Sequence, residues 1–343
     1  MSKAIKVTVI IASILVGIGI LSMGLAVAFG GMDVFMKNSK DFNVTMVSAT
    51  FDEVDVLNVN GVSNDIKVIK SENNQVKVTY PVSEKFSYYV KQIDDTLQIE
   101  YDDLRHWYDY IVIFGSFRVP DLTIELPEKT FKELNIKSTS GHIEANSVDS
   151  LTTNLKTTSG HIEVGGNAGD LTVAATSGGV KVNSDTQAET AYISATSGKI
   201  EVSGNIKGDV IADNSSGGII LSDLNCDNVD AKCTSGKITA DNLSVTSIKA
   251  NVSSGRIDFD NVICTGDMDL KTTSGSINLD SVDAENYDLN TTSGSIKAKI
   301  LSPKLYNVKS NSGSERTPEF GSNAKGVLNA KATSGSIKIE LAD

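Results

Sequence analysis

Hydrophobic and polar residues alternate in two short stretches, one on each side of a recurring Ser-Gly pair. The glycine of that pair returns every 18 to 22 residues, at eleven positions: Gly141, Gly160, Gly178, Gly198, Gly217, Gly236, Gly255, Gly275, Gly294, Gly313 and Gly335. If this glycine is numbered 0, apolar residues occupy positions −7, −5, +2 and usually +4 and +7, whereas polar residues dominate at −6, −4, +1 and +3. A period of two is typical of a strand with one buried face. Each unit therefore predicts two short strands joined by a Ser-Gly turn, where glycine permits a positive φ.

A single unit of about nineteen residues buries too little apolar surface to offset the conformational entropy of ordering it. Stacked units would pair their backbones and join their apolar positions into continuous columns. The sequence therefore predicts an all-β fold, a single-stranded β-solenoid of about eleven 19-residue coils spanning residues 131–343. Propeller blades need about 40 residues each, and the patterns of leucine-rich and calcium-binding nonapeptide repeats are absent.

Residues 51–130 lack Ser-Gly units but still alternate, as in Val76–Tyr80 and Leu122–Leu126. They predict an N-terminal β section that caps the solenoid and is continuous with it. At the other end, the Gly313 unit carries an insertion, and the chain stops just after its last strand. Either the inserted loop folds over that end, or Lys338 and Glu340 blunt an exposed edge.

The first 32 residues differ in composition from the rest. No charged residue occurs between Val7 and Met32, and about 20 apolar residues suffice to cross a bilayer. We favour a retained transmembrane helix in residues 1–32, followed by a linker in residues 33–50. The alternative is a signal peptide cleaved after Ala26-Val27-Ala28, although the apolar run is long for one. Lys3 and Lys6 predict a cytoplasmic N-terminus, a single-pass protein of the cell membrane, and an extracytoplasmic C-terminal domain.

These features together resemble a known bacterial group. A membrane helix, a β region ending at Leu126-Pro127 and repeated Thr-Ser-Gly-x-Ile units are similar to the putative-adhesin domain family, a domain of unknown function that includes LiaG-like envelope proteins. The resemblance covers about residues 50–343. It implies the fold and an envelope location, and it brings no catalytic residue and no cofactor to this chain.

Charge and cysteine content narrow the classes of partner. The formal net charge is −12, which argues against nucleic acid, because phosphate binding needs a basic surface. The three cysteines, Cys226, Cys233 and Cys264, do not form a disulfide framework. Cys226 and Cys264 both fall at +9, two units apart, which is too far for a disulfide. We expect all three to be buried.

Two clusters are candidates for binding chemistry. His142 and His161 both occupy position +1, and Glu144 and Glu163 both occupy +3. In adjacent coils about 4.8 Å apart these four side chains would form a square that could hold zinc. Ordinary surface polarity in two closely related repeats is the competing interpretation, and we favour it.

The second cluster lies in the β section and contains the chain's only tryptophan. Trp107, Tyr108 and Tyr110 lie close together in the sequence and could contact glycan or lipid headgroups. We favour the alternative, a hairpin packed over the end of the solenoid.

No catalytic constellation emerges from the sequence, because the Ser-Gly pairs are repeat corners rather than nucleophile elbows. We therefore predict a non-enzymatic, membrane-anchored surface protein without a cofactor, either an adhesin or a binding or structural scaffold at the cell envelope. It would contact the membrane through its N-terminal helix and bind an envelope glycan or protein, and its oligomeric state is left open. Two alternatives stay open, namely an accessory or sensory role in envelope-stress signalling and a carbohydrate-active β-helix enzyme.

Overall fold

The computed structural model describes residues 43–104, 119–319 and 324–342. It separates into two compact units, and the larger comprises Val47–Tyr80, Tyr88–Tyr101 and Pro120–Asp343. In the smaller unit, the Leu104 N–H donates to the Lys85 carbonyl oxygen at 3.0 Å. No helix in these described ranges is long and apolar enough to cross a membrane. The predicted anchor in residues 1–32 lies outside them.

Every regular element of the described chain is a β-strand. The strands are β1 (Thr45–Phe51), β2 (Val56–Gly61), β3 (Ile66–Lys70), β4 (Val76–Val82), β5 (Phe86–Ile93), β6 (Thr96–Asp103), β7 (Leu122–Leu126), β8 (Phe131–Ser138), β9 (Ile143–Thr157), β10 (Ile162–Ala175), β11 (Val180–Val182), β12 (Gln187–Ser197), β13 (Ile200–Ile206), β14 (Asp209–Cys264), β15 (Asp267–Ser274), β16 (Ile277–Val282), β17 (Asn286–Ser293), β18 (Ile296–Ile300), β19 (Leu305–Ser312), β20 (Glu315–Arg316), β21 (Val327–Ser334) and β22 (Ile337–Leu341).

The larger unit is a parallel β-solenoid of about ten turns, close to the eleven coils expected. We name each coil by its corner glycine. The strand before the corner forms the A side, the strand after it forms the B side, and a short C side leads to the next coil. Coils stack in parallel register, so that Leu155 pairs with Val173 on the A side and Ile143 pairs with Ile162 on the B side.

The inward columns follow the predicted alternation. Positions −7, −5, +2 and +4 are buried in coil after coil, as shown by Leu134, Ile136, Ile143 and Ala145, each with 0% of its surface exposed. Aliphatic side chains of successive coils thus lie above one another and form one continuous core cluster. Since area removed from water is the main driving force, stacking supplies what a single coil lacks.

The Ser-Gly corner needs glycine chiefly because neighbouring coils approach closely there. A Cβ on Gly160, whose φ is not in the left-handed region, would lie 2.0 Å from the carbonyl oxygen of Gly141. Gly236 has a φ of 154°, and a Cβ on it would lie 1.6 Å from the Gly217 carbonyl oxygen. The positive φ expected at the corner is therefore confirmed in some coils, whereas the lack of space recurs along the column.

A polar side chain at position −3 supports this corner from inside. The Thr291 hydroxyl donates to the Gly275 carbonyl oxygen at 2.9 Å, and the Asn214 amide donates to that of Gly198 at 2.7 Å. Both side chains are buried. Because an unpaired carbonyl in the core costs free energy, these bonds explain why hydroxyl and amide groups occupy an inward position.

A second corner at position +6 was not predicted. Asn242 and Asn261 have φ values of 56° and 51° there, and Gly166 and Gly204 also have positive φ. The pairing register shifts at this point, between Val164 and Gly166 for example. Glycine and asparagine adopt the left-handed conformation most readily, so their recurrence at +6 is the sequence signal for this turn.

The coils at the C-terminal end do not stack in chain order. β21 pairs with β17 on one side and β19 on the other, and β22 likewise lies between β18 and β20. The Gly335 coil is thus inserted between the Gly294 and Gly313 coils. The expectation that Lys338 blunts a terminal edge is wrong, because Lys338 pairs with Arg316 of β20. Glu340 lies beyond the two residues of β22 that β20 covers.

A charged residue at an inward position explains this order. Position +2 holds Ile or Val in ten of the units but Glu315 in the Gly313 unit. Burying an ionised carboxylate between two coils would cost several kcal/mol, on the order of the penalty for a desolvated ion. In the last coil Glu315 stays exposed, and its carboxylate accepts a hydrogen bond from the Ser310 N–H.

The chain reaches the Gly313 coil past a buried lysine that is paired with a partly exposed aspartate. The Lys304 side chain is 4% exposed, and its Nζ lies 3.4 Å from the Asp283 carboxylate and 5.9 Å from the centre of the Tyr287 ring. A charge this deeply buried requires a partner. The pair therefore fixes the loop that skips one coil.

The N-terminal β section is also interleaved. β2 lies between β6 and β8, and β3 lies between β7 and β9. Beyond β7 the direction reverses, because β4 pairs with β7 antiparallel, with Val78 opposite Ile124, and β1 pairs with β4. The parallel stack ends at these antiparallel strands.

We predict that Gly236→Ala lowers the free energy of unfolding by about 3 kcal/mol or more, because its Cβ would overlap a backbone carbonyl at a positive φ. Gly218→Ala is the matched control, since a Cβ there would lie 3.5 Å from the nearest atom, the Lys237 carbonyl oxygen. It should change stability by less than about 0.5 kcal/mol. Urea unfolding followed by circular dichroism checks both, and equal losses would contradict the steric explanation.

The coil order predicts which engineered cysteines can pair. Asn290 and Lys331 are register neighbours, so Asn290→Cys with Lys331→Cys should form a disulfide on mild oxidation. Lys309 lies one coil further away, about 9.6 Å from Asn290 at the usual strand spacing, which is beyond disulfide range. Asn290→Cys with Lys309→Cys should therefore stay reduced in non-reducing mass spectrometry. The reverse result would indicate coils stacked in chain order.

Candidate binding surface

The two +1 histidines form a stacked pair at the corner. The ring centroids of His142 and His161 lie 5.2 Å apart, with the planes inclined by 7°. The backbone N–H of His161 donates to Nδ1 of the His142 ring at 2.9 Å. The backbone N–H of Gly179 donates to Nδ1 of the His161 ring, also at 2.9 Å. In the preceding coil Asp65 plays the same part, since its Oδ1 accepts the His142 N–H at 2.8 Å. In these three coils the +1 side chain therefore accepts the backbone N–H at position +1 of the next coil.

The predicted zinc ligands come together, but the hydrogen bonds oppose ligation. Glu144 and Glu163 are register neighbours beside His142 and His161. Because both Nδ1 atoms accept an N–H, each neutral imidazole carries its proton on Nε2, which then donates rather than binds metal. Lys181 Nζ lies 2.8 Å from Glu163 Oε1. In the described chain no three His, Cys, Asp or Glu side chains are grouped to hold a metal. The zinc site stays a prediction.

The three cysteines are free and buried, as predicted. Desolvation by burial raises the pKa of Cys226 to about 12, so this thiol stays protonated at neutral pH. Cys233 occupies the inward −3 position, where its thiol donates to the Gly217 carbonyl oxygen at 3.4 Å. It therefore takes the place that hydroxyl groups have in other coils.

The aromatic candidates Trp107, Tyr108 and Tyr110 lie outside the described residues. Their contact with glycan or lipid stays a prediction.

A groove of about 860 Å³ runs along the A side and was not predicted from the sequence. Its walls come from positions −4 and −2 of seven coils, and its floor comes from position −3, including Ala175 of the neighbouring Gly178 coil. The −3 residues, such as Cys233 and Val252, are buried and form the floor, whereas the flanking residues such as Lys232 and Ser253 are accessible. On the −4 wall lie Ser194, Asp213, Lys232, Asn251, Lys271, Asn290 and Lys331, and on the −2 wall lie Thr196, Ser215, Thr234, Ser253, Thr273, Thr292 and Thr333.

The chemistry of the groove is polar and close to neutral. One wall presents a hydroxyl group in every coil. The other alternates amide, hydroxyl and charged groups. Two lysines of that wall are held by carboxylates of the −6 column, since Lys232 lies 3.0 Å from Asp230 and Lys271 lies 2.8 Å from Asp269. The groove therefore offers donors and acceptors at a regular spacing rather than a net charge.

Among the described residues, five carboxyl groups have a pKa shifted towards the ionised form. The hydrogen bond from Lys181 holds the pKa of Glu163 below its usual range. Hydrogen bonds from Lys129 and Lys132 do the same for Asp55, and the pKa values of Asp95, Asp258 and Glu340 are lowered as well. These carboxylates act as partners in surface ion pairs and hydrogen bonds.

The repeated parallel coils, with a polar groove along one side, define this chain as a β-solenoid. The chain belongs to the Toastrack family, DUF4097, whose model matches residues 54–209 and 168–340. This membership confirms the family resemblance that the Thr-Ser-Gly-x-Ile units indicate. No curated protein matches the chain.

Three solved structures are similar over most of the chain at low identity. A putative cell adhesion protein from Clostridium sporogenes is 10% identical, with 88% of this chain and 100% of that chain covered and a TM-score of 0.21. A putative adhesin from Bacteroides fragilis is 12% identical, with 87% of this chain and 97% of that chain covered and a TM-score of 0.33. A putative lipid binding protein from Parabacteroides distasonis is 16% identical, with 87% of this chain and 96% of that chain covered and a TM-score of 0.25. With TM-scores this low, the three structures assign no function to this chain.

We predict that His142→Ala lowers the free energy of unfolding by about 1 kcal/mol, because the His161 N–H loses its acceptor. His142→Asn should lower the free energy of unfolding by less than half as much. A short side-chain oxygen at position +1 reaches the backbone N–H of the next coil, as Asp65 shows. Urea unfolding of the two variants checks the prediction. If Asn proves as damaging as Ala, the ring stacking rather than the hydrogen bond is the stabilising contact.

Proposed function

We propose that this chain is a non-enzymatic scaffold, anchored in the cell membrane, that binds an extended polar polymer of the cell envelope in the A-side groove. The observation that carries the proposal is the repetition of the groove lining over seven coils. At about 4.8 Å per coil this is a binding surface of roughly 29 Å. A repeating surface of this length matches a repeating ligand better than it matches a compact one.

A glycan fits the groove better than an anionic polymer does. The hydroxyl groups of the −2 wall and the amides of Asn251 and Asn290 can donate and accept, as sugar hydroxyls require. An anionic chain would instead need free cations, yet two of the three lysines on the −4 wall, Lys232 and Lys271, are engaged by Asp230 and Asp269. The overall charge of −12 would also repel such a chain.

The carboxyl groups support a non-enzymatic role. Glycoside hydrolysis requires a pair of carboxyl groups, one of them held protonated by a raised pKa. In the part of the chain that the structure describes, the perturbed carboxyl groups have lowered pKa values instead. Asp213 is the single carboxylate in the groove lining, so a catalytic pair is lacking there.

The envelope location rests on the N-terminal sequence. The uncharged segment from Val7 to Met32 is long enough for a membrane helix, and Lys3 and Lys6 favour a cytoplasmic N-terminus. In this orientation the solenoid faces the outside, where envelope polymers are accessible.

Filling the groove should weaken glycan binding. Ser253→Tyr places a ring on the −2 wall, and we expect it to weaken co-sedimentation of the full chain with purified peptidoglycan sacculi at least about tenfold, equal to 1.4 kcal/mol. Ser244→Tyr is the matched control, because Ser244 is exposed and absent from the groove lining. It should bind as the wild type does. Failure of the wild type to bind, or an equal loss in both variants, would contradict the proposal.

A further inference from the structure

The last coil of the stack has a free strand edge. β19 pairs with β21 and β20 pairs with β22, and no other strand of the described chain pairs with β19. The Leu305 N–H donates to the Gly326 carbonyl oxygen at 3.0 Å. Alternate residues of a parallel strand direct their backbone groups to opposite neighbours. Because the backbone groups of Leu305 point towards β21, the backbone N–H and C=O groups of Tyr306 and Val308 point away from the stack.

The apolar columns of the core are also uncovered at this end. Tyr306 and Val308 continue the columns of Leu328 and Ala330, with which they are in register. Leu328 is 0% exposed and Ala330 is 2% exposed, whereas Tyr306 and Val308 are only partly buried. Leu305 of the same strand is 43% exposed. A surface that combines unpaired backbone groups with partly exposed apolar residues favours pairing with another strand.

The two ends of the stack differ. On the B side of the opposite end, β4 runs antiparallel to β7, and β1 pairs with β4. A copy stacked head to tail could therefore not continue the parallel B side, whereas two identical ends can pair through β19 alone.

We propose that the outer edge of β19 pairs with β19 of a second copy of this chain, antiparallel and about a twofold axis. Such an interface uses the same residues on both sides. Centred on Asn307, it joins the outward backbone groups of Tyr306 in each copy to those of Val308 in the other. It places Lys309 opposite Leu305, so no like charges face each other.

Glu315 limits the pairing to this short segment. The next outward N–H, that of Ser310, is already bound by the Glu315 carboxylate. Pairing centred further along β19 would have to break that bond, whereas pairing centred on Asn307 leaves it intact. The register of the dimer follows from this constraint.

Cysteine cross-linking of the full chain in detergent tests the proposal. In the proposed dimer, Asn307 lies opposite Asn307 of the second copy in a non-hydrogen-bonded antiparallel pair. The Cα atoms of such a pair lie about 4.5 Å apart, which is within disulfide range. Asn307→Cys should therefore give a covalent dimer on oxidation. Asn251→Cys, on the A side in the middle of the stack, is the matched control for random collision. We expect it to cross-link at least about tenfold more slowly.

A second variant separates this register from other contacts. Val308→Pro removes an N–H that points away from β21, so β19 keeps its pairing within the chain while its outer edge is blocked. Asn307→Cys with Val308→Pro should stay folded by circular dichroism and lose the cross-link. Cross-linking of Asn307→Cys no faster than the control would overturn the proposal. So would cross-linking that survives Val308→Pro.

Discussion

The close contact between corner glycines is the constraint on which the solenoid depends. The carbonyl oxygen of one corner occupies the place where the Cβ of the next would be, as between Gly217 and Gly236. This contact fixes the height of one coil above another at a single point of the perimeter. Because strands lead away from the corner on both sides, the register of the A and B sides follows. The inward apolar columns can then be continuous.

Much of this could be predicted from the sequence because it repeats. The period-two pattern around each Ser-Gly pair identifies the buried positions, and a fixed spacing places Cys226 and Cys264 in separate coils. The +6 corner was missed because asparagine and glycine there follow an apolar strand without interrupting the alternation. The order of the coils was missed for a different reason. Alternation shows that a coil can stack but not which coil lies beside it, and only Glu315 at position +2 distinguishes the terminal one.

The binding surface could be predicted less well. Stacking of His142 on His161 follows from their shared position, and the structure confirms it. The role of Nδ1 as an acceptor does not follow, because it depends on the rotation of each ring. The groove could not be predicted either. Its lining comes from positions −4 and −2, where the residue type varies between coils, and its shape depends on how far the floor at −3 lies below them.

The length of such a stack is not set by the repeating coils themselves. Any coil with apolar inward positions offers the same edge to the next, so growth ends only where a coil cannot be covered. At one end the chain reverses direction between β7 and β4. At the other, Glu315 cannot be buried between two coils, and this places the Gly313 coil last even though the Gly335 coil follows it in the sequence. The chain thus returns to fill an inner position, and the coil left outside is the one whose inward face tolerates water. The same carboxylate binds the Ser310 N–H at the edge. One residue therefore determines both which coil ends the stack and how much of its edge stays open to another strand.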